Sequence, residues 1–398
     1  MLQQWLIEFG TGMGKLFLHP LFYYSFVLSL VFGYIRVKRE RSEFHVRAQN
    51  GYFELKQLFA STWLIGLIIS VVTVVLGISI PYAAVLVVGV FTMLVSLTLR
   101  LRLLSPGYTL GVTFFILFFL FEKDVQLPGF VQAFSDLETN IYPSLPLLMG
   151  LLLLAEGFLI KRNAYKATSP KLITSKRGLP VGAHVSRRVW MIPFFVFIPG
   201  GELPSPFAWW PVFDLPGDGS ITPVLLPFLI GFSQTVKGML PKESISLNGS
   251  RVLVLGFVVT VISVIGFWYP MISIVAAAIG LLGRESVTFF QRLFEEKLPF
   301  YFSQRSRGVM ILGIIPDSPA EKMGLEIGEI VTKVNGTVVY NQTQFYEALS
   351  PNRAHCKLEV LDSQDQIRFV QRALYEGEHH ELGILFVQNQ KKMKQEAV

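Results

Sequence analysis

Long apolar runs separated by short polar loops fill the first 283 residues, and they restrict the folds that this chain can adopt. An α-helix needs about 20 apolar residues to cross the hydrocarbon core of a bilayer. The mean hydropathy of the chain is +0.49, and 16% of its residues are charged. The first five predicted spans are Leu16–Ile35, Leu58–Ile80, Tyr82–Leu99, Tyr108–Phe121 and Ile141–Ile160. We therefore predict a polytopic α-helical membrane domain at residues 1–283, with about seven to nine spans.

The basic residues lie mainly in the loops between these runs. A net charge of +7 can indicate nucleic-acid binding, but the positive-inside rule accounts for this distribution through loop topology. The rule places the loops Arg36–Lys56, Arg100–Gly107 and Lys161–Arg188 in the cytoplasm. The acidic loop Glu122–Asn140 and the N-terminus are then outside. The single cysteine, Cys356, permits no intramolecular disulfide, which fits a reducing compartment.

Two segments near the end of the apolar region leave the topology open. Val189–Val236 is apolar but rich in proline, and we predict a pair of short or kinked spans around an external turn. Val252–Gly283 is too long for one span, and Tyr269–Pro270 favours a hairpin of two helices. One tilted helix in its place would put the C-terminal part outside. Residues 284–298 are predicted as an amphipathic juxtamembrane helix.

The last quarter of the chain contains a dense series of turn and cap signals. Ser318 suits the N-cap of a short helix, and Pro319 suits its first position. Gly324 suits the residue that follows the end of that helix. Asn335 and Gly336 predict a hairpin, because both residues tolerate a positive φ.

The pattern S-P-A-x-x-x-G-L-x-x-G-E-I-V-x-x-V-N-G, which contains these residues, resembles the centre of bacterial PDZ domains. We therefore predict a PDZ-like α+β domain at residues 299–389, followed by a basic tail at 390–398. The resemblance implies a groove in which an extended peptide adds as a strand beside the second helix.

The groove helix is expected just after Asn341, and a short loop with a glycine should hold the terminal carboxylate of a ligand. The candidate groove residues are Phe300, Tyr301, Phe302, Val309, Ile311, Gln342, Phe345 and Leu349. Phe345 also fits a place in the core. Because Phe300–Phe302 lacks the glycine, Leu382, Gly383 and Ile384 are the alternative carboxylate loop, although they also fit plain structure.

No arrangement of residues typical of a membrane protease is present in the sequence. An intramembrane metalloprotease needs two histidines four residues apart with a glutamate between them, and none of the six histidines has that spacing. The chain leaves no room for a soluble domain with a catalytic triad, and it has no glycine-rich phosphate loop. We predict a protein without enzymatic activity, metal, cofactor or small-molecule substrate.

Both the multi-span region and the C-terminal stretch IIPDSPAEKMGLEIGEIVTKVNG resemble the MinJ family of the Bacillus division-site selection (Min) system. The resemblance implies a scaffold in the cell membrane, at the division septum and the cell poles. It implies two partners, the polar protein DivIVA and MinD, the ATPase that carries the division inhibitor MinC. Septum formation would thereby be restricted to midcell.

Two other functions remain open at this point. One is a membrane adaptor that presents substrates to a separate protease. The other is a transporter-like protein with a regulatory PDZ domain, since broken helices such as those predicted at Val189–Val236 can form a substrate site. No inverted repeat and no charged group in the middle of a span support the second function.

Overall fold

The computed structural model describes residues 2–59, 61–122, 141–203, 210, 220–351, 355–374 and 382–387. Predictions for the loop at 123–140, for most of the external turn and for the tail at 390–398 lie outside these residues. Two parts can be distinguished in the described chain. The helical unit extends to Leu298, and the C-terminal unit covers residues 299–387.

The helical unit contains α1 to α9 and one small sheet. The helices are α1 (Leu2–Leu18), α2 (Pro20–Phe44), α3 (Phe53–Leu58), α4 (Thr62–Leu76), α5 (Tyr82–Ser96), α6 (Pro106–Glu122), α7 (Ile141–Leu159), α8 (Pro241–Ile265) and α9 (Pro270–Lys297). A 3₁₀ turn at Leu101–Leu104 precedes α6, and a π-helical turn at Ile160–Ala164 follows α7. His19 separates α1 from α2, because its ring Nδ1 accepts the N–H of Leu21 (3.3 Å) and Pro20 starts the new helix.

Five helical segments among the described residues are long and apolar enough to cross a membrane. They are Pro20–Phe44, Phe53–Leu76, Pro143–Ala164, Pro241–Ile265 and Pro270–Lys297. Two shorter apolar helices, Tyr82–Ser96 and Pro106–Glu122, coincide with the third and fourth predicted runs. The apolar runs at these positions correspond to helices, and the number of membrane spans stays a prediction.

The proline-rich segment is a β-ribbon, so the predicted pair of short spans at Val189–Val236 is wrong. The strands β1 (Ser169–Thr174), β2 (Pro180–Leu203) and β3 (Ile221–Val236) form an antiparallel sheet in that order. Both faces of the ribbon are covered, with Trp190 in one core cluster and Met191 in another. An apolar run that is buried on both faces has no alternation, and periodicity alone cannot separate it from a buried helix.

The prolines of the ribbon lie at backbone positions that face away from the partner strand. Pro193 stands opposite Pro227 in the register, and Pro223 stands opposite Phe197. A directly opposed pair that does not exchange hydrogen bonds points its nitrogens outward. Because a proline nitrogen carries no hydrogen, no donor is left unpaired at these positions of the edge.

The outward-facing backbone groups of Phe195 and Phe197 in β2 are bonded to α4 and to the segment after it. Ser70 Oγ accepts the N–H of Phe195 (2.9 Å), and Thr73 Oγ1 donates to the carbonyl of Phe195 (2.5 Å). Phe197 donates to the carbonyl of Ile78 (3.2 Å) and accepts from the N–H of Ile80 (2.9 Å). The ribbon edge is thus closed by hydroxyl groups and neighbouring backbone among the helices.

The helices α8 and α9 form the hairpin expected at Tyr269–Pro270, with the turn at residues 266–269. The juxtamembrane helix expected at 284–298 is not a separate element, since α9 continues without a break to Lys297. Arg284, in the second half of α9, is buried, and its Nη2 lies 2.8 Å from Oε1 of the buried Glu156 on α7. Because this charge is paired inside the bundle, the helix does not leave the bundle at Arg284.

The C-terminal unit is a six-stranded sheet with two helices. Its elements are β4 (Val309–Ile314), α10 (Pro319–Lys322), β5 (Ile330–Val334), β6 (Thr337–Val338), α11 (Gln342–Leu349), β7 (His355–Leu361), β8 (Ile367–Ala373) and β9 (Ile384–Phe386). The strand order is β8-β7-β5-β4-β9, and β6 pairs with β5.

The predicted cap residues of this unit lie at the starts of its two helices, and the predicted turn residues have positive φ angles. Ser318 Oγ accepts the N–H of Glu321 at the start of α10, and Asn341 Oδ1 accepts from Gln344 at the start of α11. Positive φ angles occur at three turn residues, Gly324 (+71°), Asn335 (+49°) and Gly336 (+88°). Each of these residues tolerates that conformation better than a branched residue would.

Candidate functional site

An open strand edge lies beside α11 in the C-terminal unit. The strand β9 ends the described sheet and pairs with β4 through Ile384 opposite Ile314 and Phe386 opposite Ile311. The ring of Phe386 lies 5.0 Å from the ring of Phe345 on α11, so the strand and the helix are in contact through these two core rings. An unpaired strand edge next to a helix is the geometry that accepts an extended peptide as an added strand.

The loop Leu382–Ile384 leads directly into this edge. The carbonyl of Leu382 accepts the N–H of Ala320 (2.9 Å), and the carbonyl of Gly383 accepts the N–H of Ile315 (2.8 Å). Gly383 has a φ of +80°, and a Cβ atom there would lie 2.3 Å from Cβ of Ser318. Glycine is therefore required at this position for both its conformation and its close contact.

The segment Phe300–Phe302 lies away from the cleft, so its expected place in the groove needs correction. Phe302 is fully buried, its carbonyl accepts the N–H of Gly182 (2.7 Å), and its ring lies 4.8 Å from the ring of His184. The N–H of Tyr301 donates to the carbonyl of Lys237 (2.9 Å). These aromatic residues attach the C-terminal unit to the helical unit, which is why they are apolar.

The remaining candidate groove residues differ in exposure. Val309 and Ile311 are buried in β4, which lies between β5 and β9 and not at the sheet edge. Phe345 and Leu349 are buried in the core beneath the sheet. Gln342, one turn before Phe345, is half-buried. Of the predicted helix residues Gln342, Phe345 and Leu349, Gln342 is the one that is not fully buried.

Both faces of β4 are buried, because the sheet also contacts the helical unit. Ile311 faces the core of the C-terminal unit, whereas Met310 and Leu312 belong to a second apolar cluster. That cluster includes Phe44 at the end of α2 and Ala48 in the following loop. The cleft is therefore carried by a unit that packs directly against the helices.

Two titratable side chains of this unit have perturbed pKa values with clear causes. Burial raises the pKa of the Cys356 thiol to about 12, so the thiol stays protonated at neutral pH. A hydrogen bond from Lys333 Nζ (3.0 Å) lowers the pKa of Glu359. Among the described residues, no group of three or more His, Cys, Asp or Glu side chains could hold a metal ion.

Comparison with known proteins connects this geometry to a family. The PDZ domain matches residues 310–362. "Cell division topological determinant MinJ" of Bacillus subtilis (strain 168) is 43% identical over 389 residues, which cover 98% of this chain and 97% of the relative. The chain belongs to the MinJ family. The resemblance seen in the sequence is thereby confirmed, and the C-terminal unit is called the PDZ unit below.

Two other relatives match the chain over shorter stretches. "Probable cell division topological determinant MinJ" of Lacticaseibacillus paracasei is 32% identical over 79 residues, 20% of this chain and 22% of that protein. "Serine protease HTRA2, mitochondrial" of Drosophila ananassae is 34% identical over 65 residues, 16% of this chain and 15% of that protein. Each of these two matches covers less than a quarter of either protein.

The contact between the two units of this MinJ-family chain was not predicted from the sequence. A signal for it exists in β4, which reads Val-Met-Ile-Leu from Val309 and so presents apolar side chains on both faces. A strand with one solvated face would alternate apolar and polar residues instead. Continuous apolarity in a strand of a small domain thus indicates that a second surface covers it.

Proposed function

We propose that this protein is a non-enzymatic membrane scaffold that helps to restrict cell division to midcell. The observation that carries the proposal is the 43% identity, over 98% of the chain, to a relative named a cell division topological determinant. In this role the protein bridges the landmark protein DivIVA to MinD and, through MinD, to the division inhibitor MinC. It acts in the cell membrane at the division septum and the cell poles.

The proposed topology is multi-pass, with the PDZ unit in the cytoplasm. The parts of the helical unit that contact the PDZ unit belong to the most basic loops, which favours this orientation. They include Phe44 at the end of α2, Ala48 in the following loop and Gly182 in β2, within the predicted basic segments Arg36–Lys56 and Lys161–Arg188. The hairpin of α8 and α9 returns the chain to that same side.

Partner binding is assigned to the cleft between β9 and α11. A segment of a partner would pair with the free backbone edge of β9, and its side chains would contact α11 near Gln342. The loop Leu382–Ile384 is placed at the end of the cleft, where backbone amides could receive a terminal carboxylate. Main-chain pairing would supply affinity, and the helix side chains would supply selectivity.

The division role is tested by localisation in living cells. A fluorescent fusion of the full chain should concentrate at septa and poles, and deletion of its gene should give elongated cells and misplaced septa. A uniform membrane signal together with normal cell length in the deletion strain would rule the division role out.

The cleft is tested with a pair of bulky substitutions on α11. Gln342→Trp fills the mouth of the cleft and should weaken two-hybrid or pull-down signals with DivIVA or MinD by at least about tenfold. Thr343→Trp is the matched control, because Thr343 is the next residue of the same helix and its side chain is exposed. Equal partner binding by both variants would show that the interaction uses another surface.

An adaptor for a separate protease is the second candidate. The similarity over 65 residues to "Serine protease HTRA2, mitochondrial" favours it, because that relative is named a protease. Crosslinking in cells followed by identification of a membrane protease would support this candidate. The transporter-like alternative loses its main support, since the described strands within Val189–Val236 form a β-ribbon and not a pair of broken helices.

A further inference from the structure

A cavity of about 630 Å³ opens in the helical unit between the 3₁₀ turn, the base of the β-ribbon and the second half of α9. Its lining is strongly basic. The cationic side chains are Arg100, Arg102, Arg187, Lys237, Arg284 and Arg292. Two carboxylates, Glu295 and Glu296, also line it. Six cations against two anions leave the cavity with an excess of positive charge.

Most of this positive charge is not neutralised by the protein. Arg284 is paired with Glu156, and Arg102 lies 3.7 Å from Glu285. Within the described part of the chain, no carboxylate forms an ion pair with the four other cations, Arg100, Arg187, Lys237 and Arg292. Clustered like charges without counter-charges are unfavourable, and an anionic ligand would relieve their repulsion.

The buried carboxylate of the cavity is already engaged by other donors. Glu295 Oε2 accepts the backbone N–H groups of Lys237 (2.9 Å) and Gly238 (3.1 Å), and its Oε1 accepts the hydroxyl of Ser244. This carboxylate holds the loop after β3 in place. It is therefore a structural group, and it leaves the cationic side of the cavity open.

Two buried polar atoms in the lining lack hydrogen-bond partners. They are Nη1 of Arg102, whose carboxylate neighbour Glu285 Oε1 lies beyond hydrogen-bond distance at 3.7 Å, and Oδ1 of Asn248, a residue that is only 5% exposed. The amide of Asn248 is oriented by its own bond to Gln234 Oε1 (2.8 Å), so its free oxygen is an acceptor. Buried polar groups normally have a hydrogen-bond partner, and these two suit an anion and a hydroxyl donor.

Exposed apolar side chains occur in the lining and on the helix that carries it. Leu99 lines the cavity and is 47% exposed, and Phe289 and Phe290, in the same half of α9 as the lining residues Thr288 and Gln291, are 54% and 61% exposed. The helix α9 is one of the segments apolar enough to cross a membrane. A soluble phosphate compound would leave these side chains in water, whereas acyl chains would cover them.

We propose that this cavity binds the headgroup of an anionic phospholipid. The phosphate lies against Arg102, Arg187 and Lys237, a headgroup hydroxyl donates to Asn248 Oδ1, and the acyl chains follow Leu99 and the phenylalanines of α9. Basic pockets between membrane helices on the cytoplasmic side suit such headgroups. The site requires the membrane location but neither the PDZ cleft nor the division role.

The test uses the full-length protein in detergent with phosphatidylglycerol and phosphatidylcholine of the same chain length. Native mass spectrometry counts bound lipid, and the thermal midpoint reports stabilisation. Phosphatidylglycerol should bind and raise the midpoint, and Arg187→Gln with Lys237→Gln should weaken its binding by about tenfold or more. These two cations lack described ion-pair partners, so their neutralisation should leave the fold intact.

The matched control removes two charges from the exposed turn between β1 and β2. Lys176→Gln with Arg177→Gln should bind phosphatidylglycerol like the unaltered protein.

A second cavity variant is used if the first one unfolds. It carries Arg100→Gln and Arg292→Gln, since both residues line the cavity and are exposed. Its affinity for phosphatidylglycerol should fall several-fold.

Three outcomes would overturn the proposal. Equal binding of the two lipids would show that the headgroup charge is not recognised. Equal binding by the cavity variants and the turn variant would place the lipid elsewhere. Inorganic phosphate that stabilises the protein as strongly as the lipid at the same concentration would identify a site for soluble phosphate.

Discussion

The helical unit and the PDZ unit both contain antiparallel strands, but they satisfy the strand edges differently. In the PDZ unit, β8 is an edge strand whose Ile367 and Phe369 are 61% and 64% exposed, so water can reach its backbone. In the helical unit, prolines and the hydroxyls of Ser70 and Thr73 close the edges of the ribbon. Buried backbone must find its partners within the protein, and this need shapes the helical unit.

The ion pairs of the two units show the same difference. Arg284 and Glu156 form a pair with side chains that are 3% and 0% exposed, whereas Lys333 and Glu359 form a pair that is 42% and 15% exposed. Losing one partner of a buried pair leaves an uncompensated charge. Losing one partner of an exposed pair leaves a charge that water solvates.

The largest expected effect comes from breaking the buried pair. Arg284→Met should lower the free energy of unfolding by about 3–5 kcal/mol, because Glu156 then keeps a buried and unpaired charge. Adding Glu156→Leu should restore much of the loss, since an apolar pair replaces an ionic one. Denaturant unfolding of the detergent-solubilised protein measures both values.

Lys333→Met in the PDZ unit is the matched control for Arg284→Met. The exposed pair should contribute no more than about 1 kcal/mol, and less at high salt. Similar losses of unfolding free energy for Arg284→Met and Lys333→Met would mean that burial does not make the ion pair of the helical unit more important for stability than the exposed pair.

The next effect concerns the packing of α4 on the ribbon. A Cβ atom on Gly66 would lie 2.1 Å from the carbonyl oxygen of Pro193, so Gly66→Ala should destabilise the protein by about 2–3 kcal/mol. Gly10→Ala is the control, because no atom lies within 4 Å of the added methyl group and alanine favours helices. Thermal unfolding should separate the two; a tolerated Gly66→Ala would argue against direct contact between helix and strand.

A smaller loss is expected at the loop Leu382–Ile384 of the PDZ unit. Gly383→Ala should cost about 2 kcal/mol, because its φ of +80° is strained for alanine and its Cβ would contact Ser318. Gly336→Ala has a similar φ of +88° but no atom within 4 Å, so it should cost less. Equal unfolding free energies would show that the contact with Ser318 adds nothing to the strain.

The smallest effect is a pH dependence at the contact between the units. Burial lowers the pKa of His184 to about 4, against an ordinary value of 6.5, although a backbone bond to Leu312 acts in the opposite direction. Between these values the unfolded chain binds the proton and the folded chain does not. Stability should therefore fall by about 1–2 kcal/mol from pH 6.5 to pH 5. Comparing the unfolding of His184→Phe over this range isolates the contribution of His184, and an unchanged slope would exclude it.

The sequence predicted the features that depend on neighbouring residues. The caps at Ser318 and Asn341 and the turn at Asn335–Gly336 act within a few residues, so their chemistry is visible in a short window. Apolar runs likewise revealed the helices. The ribbon was not predicted, because strands covered on both faces resemble buried helices.

Features that join distant parts of the chain were missed for a different reason. Glu156 and Arg284 are 128 residues apart, and no local pattern shows that they meet. The edge position of β9 was also hidden, since it depends on β9 returning from the C-terminal end to pair with β4. Because of this return, Leu382–Ile384 leads into the edge strand β9, whereas Tyr301 and Phe302 are bonded to the helical unit.

The attachment at Phe302 has a consequence for how a partner reaches the cleft. The backbone of Tyr301 is bonded to Lys237 and that of Phe302 to Gly182, so no flexible linker joins the PDZ unit to the helical unit at this end. The PDZ unit therefore loses its freedom to rotate relative to the helical unit when the protein folds. This entropy does not have to be lost again when a partner binds. In the proposed membrane scaffold, such a unit would hold its cleft at one height and one orientation relative to the bilayer. A partner that diffuses along the membrane would then search for the cleft in two dimensions and not in three.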